Sequence, residues 1–213
     1  MKKLIFLLLS SVVVFQCCTL VTNELKPDET AGKIFTPAEL NGLTEMIKFV
    51  DNIVLTTEKA ADINQSYHAL FNRFDSLIAE GKMIPGLVAD SVKLRFLETI
   101  GDKAFAAVWK INETKNRGNG VDSTLADMPS LKSITLNYQG KYMTYLNEIG
   151  KTDSLYANLF NNIEVAGDIP PTVVSWYPAQ TKEINFTAFK ARLWAVVYLL
   201  RLNSLSETMI VVK

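Results

Sequence analysis

The chain has 213 residues, 22 basic and 22 acidic side chains, and a 48% hydrophobic and 10% aromatic content. The balanced charge excludes the basic footprint of a nucleic-acid-binding protein, and the apolar content excludes a disordered chain. A chain this long buries close to about 70% of its unfolded surface in one core, so it needs no disulfide framework.

Met1-Lys2-Lys3 precede an apolar run, Leu4 to Phe15, interrupted only by Ser10 and Ser11. A basic start and an apolar middle make a secretory leader. A spanning helix needs about 20 predominantly apolar residues, whereas Gln16 and Thr19 break this run and no Lys/Arg cluster follows. Cys17 and Cys18 are adjacent and are the only cysteines. They are poor disulfide partners, because bridged Cα atoms usually lie about 4.4–6.8 Å apart and neighbours about 3.8 Å.

Phe15-Gln16-Cys17-Cys18 resembles the lipobox of bacterial lipoproteins, in which a small residue precedes the cysteine that is diacylated and becomes the mature N-terminus. The resemblance covers under a tenth of the chain. It makes residues 1–17 the signal peptide, Cys17 the small residue and Cys18 the lipidated one. Phe15 and Gln16 depart from the commoner Leu-Ala/Ser pattern, which leaves lipidation of Cys17 and ordinary cleavage near Thr19–Thr22 as alternatives. More than one acyl chain is what stable anchoring requires, so the implied partner is a membrane, reached through an N-terminal lipid. The mature chain then carries 20 basic and 22 acidic side chains.

Residues 18–35 mix charges with Pro27 and Gly32 without a period, and read as a flexible tether of at most about 55 Å. No acidic run follows the cysteines, which points to the periplasmic face of an outer membrane rather than the cell exterior. The domain is expected over residues 36–213. It opens with Thr36-Pro37-Ala38-Glu39, a capping box with proline at the first helical position. Apolar residues then recur at helical spacing from Leu40 to Leu77, weakening around Thr56-Thr57 and Asp62. A second helix is expected from about Leu87 to Asn112, where small residues at Gly101 and Ala104 allow close helix approach. A turn-rich loop covers residues 116–129.

A third helical stretch starts near Pro129 and is expected to break at Gly150-Lys151-Thr152, with Asp153 as a new cap. An irregular segment follows Gly167, and Asn185 is expected to cap a last helix, whose run Leu193–Leu200 is apolar all round and fits a central position. No strand pair with a clear hairpin turn stands out. The pattern predicts an all-α fold, an up-and-down antiparallel bundle of four or five helices.

Catalytic patterns are missing from the sequence. Lone His68 has no second histidine or Glu-x-x-His to complete a metal site, and reads as a flank or surface residue. Gly150-Lys151-Thr152 mimics the end of a phosphate loop, but Tyr145 stands where the first glycine belongs. No cofactor, metal or catalytic residue is expected. Two features stand out. Tyr138, Tyr142, Tyr145 and Tyr156 recur at helical spacing, either as core or as one wall of a ligand groove. Val174, Trp176 and Tyr177 form an aromatic tip after Pro170-Pro171, either a cap on the bundle or a protein-partner contact. Asp122-Ser123-Thr124, in the expected loop, resembles the acceptor of some periplasmic O-glycosylation systems, or is ordinary turn chemistry. The leading reading is a membrane-tethered, non-enzymatic interaction module of the cell envelope with a protein partner. The alternative is a small-ligand-binding or sensing bundle.

Overall fold

A computed structural model describes residues 25–114 and 131–203. Cys17, Cys18, the apolar leader and Ser123 lie outside the described residues. Among the described residues the chain is mostly helical, with nine α-helices and one strand pair.

The expected tether ends early. Residues Glu29–Ile34 form α1, capped by Asp28, whose carboxylate accepts from the Ala31 N–H at 2.8 Å. Leu25 packs on the core, and Ala31 and Phe35 are buried. The capping box at Thr36 forms as its residues dictate: Glu39 N–H donates to Thr36 Oγ1, and the Thr36 N–H donates to Glu39 Oε2. It starts α2, Pro37–Glu58. The polar weakening near its end is a break, where Lys59 adopts the left-handed region at φ 51°. Asp62 recaps the chain as α3, Ile63–Ala79.

The expected second helix does not run through. It divides into α4, Asp90–Leu97, and α5, Asp102–Val108, because Gly101 turns the backbone at φ +89°. Ala104 does allow close approach: a Cβ on Gly42 of α2 would overlap the Ala104 side chain and the Ile100 carbonyl. After α5 the chain leaves helix altogether. Strand β1, Trp109–Thr114, pairs antiparallel with β2, Leu131–Leu136, with Trp109 opposite Leu136 and Ile111 opposite Ile134. Trp109, Ile134 and Leu136 are buried, so alternation turns this face of the strand pair to the core near Trp109, while Ile111 farther along β1 is exposed.

The third helical stretch does not start near Pro129, since Leu131–Leu136 is strand β2, but the helix that follows breaks at Gly150 as expected. Helix α6 covers Lys141–Gly150, and Asp153 caps α7, Ser154–Ala166. A Cβ on Gly150 would meet the Ala157 backbone at 2.9 Å, so glycine lets the two helices fold back on each other. The segment expected to be irregular is helical: α8, Pro171–Trp176, then a 3-10 turn over Tyr177–Glu183. Asn185 does not cap the last helix. Its side chain closes a turn by accepting from Thr187 N and Oγ1, and α9 begins later, Phe189–Arg201.

Helix α9 is the central element, since every residue from Ala191 to Leu200 is buried. It packs on α2 and β2. Its end is held by side chains of other elements. Lys93, 2% exposed, donates to the Leu202 carbonyl at 2.8 Å, and Arg201 clasps Asp168 through Nε and Nη2 at 2.9 and 2.7 Å. No helix among the described residues is long and apolar enough to cross a membrane.

Candidate functional site

The four expected groove tyrosines separate. Tyr138 precedes α6 rather than sitting on it; it is 48% exposed, with the Lys110 ammonium 4.7 Å over its ring. Tyr142 and Tyr145 lie on α6 and Tyr156 on α7, so helical spacing is not what unites them. The fold-back at Gly150 does, and all three are buried. Tyr145 donates to Asp28 Oδ2 at 2.6 Å and packs against Phe35, which ties α1 to α6.

The aromatic tip also divides. Tyr177 is 0% exposed and turns inward, contacting Phe71, Trp194 and Tyr198 with ring centroids 5.2, 5.5 and 5.1 Å away. It cannot be a surface contact for a partner, because α8 and the 3-10 turn fold it under the end of the core. Val174 and Trp176 are half-buried and pack against the same core, and the Val174 carbonyl accepts from the Tyr198 hydroxyl at 2.8 Å.

The tyrosines expected to serve two different purposes therefore belong to one interior. Burial pushes the hydroxyls of Tyr142 and Tyr177 well up, and Tyr156 follows, with neighbouring Asp153 and Asp28 adding to the shift. Tyr142 and Tyr156 stand close enough to Tyr177 to raise it further. Such hydroxyls stay neutral at physiological pH. They can donate and accept hydrogen bonds but cannot act as bases or as an anionic ligand set. Two polar atoms here are buried without a protein partner, the Tyr177 hydroxyl and the Trp194 indole N–H. An orphaned buried polar group costs about 1–3 kcal/mol.

A second polar cluster joins three helices and was not singled out by any sequence pattern. Asp51 on α2 accepts from Tyr67 on α3 at 2.8 Å and from Arg192 on α9 at 3.0 Å. Arg192 also donates to the Phe186 carbonyl, whose N–H in turn donates to Asn64. Burial raises the Asp51 carboxyl, and the attraction of Arg192 and the Tyr67 hydrogen bond only partly offset it. His68 is half-buried, edge-on to Phe186 at 5.2 Å. Among the described residues no three His, Cys, Asp or Glu side chains are grouped to hold a metal.

Open hollows on the described surface lie away from the tyrosines. One, of about 370 Å³, is lined by Phe49, Asn52, Ile53, Thr56 and Thr57 on α2, beside the stacked pair Phe49–Phe96. Another, of about 330 Å³, lies between α7 and α8 around Asn162, Val165 and Pro170. Comparison with protein-family models, curated proteins and solved structures finds no match to this chain.

Proposed function

We propose that this chain is a lipid-tethered, non-enzymatic interaction module of the bacterial cell envelope, held by Cys18 at the periplasmic face of the outer membrane. The observation that carries this reading is the leader itself: two lysines, a twelve-residue apolar run and the adjacent Cys17-Cys18. The half-buried edge at Val174 and Trp176 is what remains of the partner contact. We read α2, α3, α6, α7 and α9 as the antiparallel bundle, α4, α5 and α8 as parts of its connections, and α1 as a helix docked before it. The packing of α2 on α3, α6 on α7 and α2 on α9 supports that arrangement. Intact-mass measurement of the membrane-extracted protein tests the anchor. A chain starting at Cys18 with added acyl mass is expected, as is release of Cys18→Ala to the soluble fraction. An unmodified N-terminus beyond residue 18 refutes it.

A second reading rests on the orphaned Tyr177 hydroxyl and Trp194 N–H. It makes the interior of Tyr142, Tyr156 and Tyr177 a site for a small neutral ligand. Native mass spectrometry of the purified domain distinguishes the two, since this reading requires a bound small molecule and the first does not.

A further inference from the structure

We infer that α1 is a latch that shortens the tether until the domain can present only the half that carries α1 to the bilayer. The inference rests on lipidation of Cys18. Were the tether to run from Cys18 to the capping box at Thr36, it would reach about 60 Å when extended. A compact domain of this size is about 40 Å across, so it would then turn any face to the membrane. The structure removes most of that length. Leu25 already packs on the core, Asp28 both caps α1 and accepts from Tyr145, and Ala31 and Phe35 are buried. Only seven residue steps separate Cys18 from Leu25. They span at most about 23 Å whatever conformation they take, which is roughly half the width of the domain. The half of the domain that carries Leu25 and α1 is thereby kept toward the bilayer, and the opposite half cannot reach it.

Charge contributes little to that placement. Lys33 is paired with Glu29 at 2.6 Å on the same exposed face, and the nearby Lys141 and Lys190 are paired with Glu39 and Asp153. The leash, not electrostatic attraction, sets the orientation.

The experiment uses the full lipidated chain with Gly32→Cys labelled by a donor dye. A side chain at Gly32 meets no atom within 4 Å, and a mature chain beginning at a lipidated Cys18 has no other free thiol. The protein is reconstituted in phosphatidylethanolamine/phosphatidylglycerol vesicles carrying a short-range acceptor on their headgroups. Energy transfer is expected to be at least twofold higher than in the same chain with fifteen Gly/Ser residues inserted before Glu24. It is expected to be unchanged in vesicles of phosphatidylcholine alone. Equal transfer with and without the insertion overturns the inference while leaving the anchor standing. Transfer that depends on phosphatidylglycerol overturns it too, because charge would then hold the face. Failure of the anchor is seen separately, as protein that does not float with the vesicles.

Discussion

Asp51 on α2 and Arg192 on α9 face each other at 3.0 Å with both side chains largely withdrawn from water. The pair couples the longest helix to the central one, and Tyr67 adds α3 to the same carboxylate. Removing one partner strands a buried charge, at a cost of about 3–5 kcal/mol. Asp51→Ala is therefore expected to lower the urea unfolding free energy by that amount. Replacing both, as Asp51→Leu with Arg192→Met, is expected to recover most of it.

Two carboxyls are expected to give opposite pH slopes. Burial alone would raise Glu39, but hydrogen bonds from Lys141 and Thr36 outweigh it and hold it below its usual value. Its contribution is complete above about pH 4.5 and is lost as pH falls through the lowered folded value. Asp51 is raised, so the native state holds its proton more tightly. Its carboxyl favours folding below about pH 3.8, and that benefit is lost as pH rises through the folded value. The gap between wild type and Glu39→Gln should close in acid, whereas the gap to Asp51→Asn should shift in favour of the wild type there. Denaturation midpoints measured from pH 3 to pH 7 read both.

Tyr177 separates packing from polarity. Tyr177→Ala empties a fully enclosed aromatic site and is expected to cost about 3–5 kcal/mol. Tyr177→Phe keeps the ring and deletes the unpartnered hydroxyl. It is expected to cost nothing and to gain up to about 1 kcal/mol. A loss above about 1 kcal/mol for Tyr177→Phe would show that the hydroxyl has a partner in solution, as the small-ligand reading requires. Trp176→Ala, at a half-buried position, should cost less than Tyr177→Ala in the same assay.

Gly42→Ala puts a methyl group where the Ala104 side chain and the Ile100 carbonyl already sit. Neither the backbone oxygen nor a neighbouring Cβ can rotate away. Overpacking of this kind costs about 1–3 kcal/mol. The loss should appear as a lower thermal midpoint with the helical circular dichroism of the folded state unchanged. Gly32→Ala, which meets nothing, is the matched control.

Local chemistry was legible where the residues settle it locally. Thr36, Pro37 and Glu39 carry a complete capping box, and Asp153 carries a cap. The apolar run of α9 favours a central place over an outer face at Trp194 and Tyr198 meeting a partner, and these residues are buried. The hairpin was not legible, because β1 and β2 are separated by residues 115–130 and no tight turn announces their pairing. Gly101 looked like a packing residue, yet its use is a positive-φ turn that redirects the chain from α4 into α5. Trp176 and Tyr177 show the same limit at the candidate site. Adjacent residues of a helical turn point about 100° apart, so sequence pairs them while the fold sends Tyr177 inward and leaves Trp176 near the surface. The Asp51–Tyr67–Arg192 cluster has members up to 141 positions apart, a separation no local pattern crosses.

The position of α9 also dictates when the protein can fold. Chains leave a ribosome or a translocation pore N-terminus first, and the helix that fills the centre comes last among the described elements. Until about residue 200 has emerged, α2 and β2 have no central partner, and the apolar faces meant for α9 stay open to water. Folding is therefore deferred to the end of synthesis or export rather than proceeding helix by helix. A chain shortened before Phe189 lacks the element that closes this core.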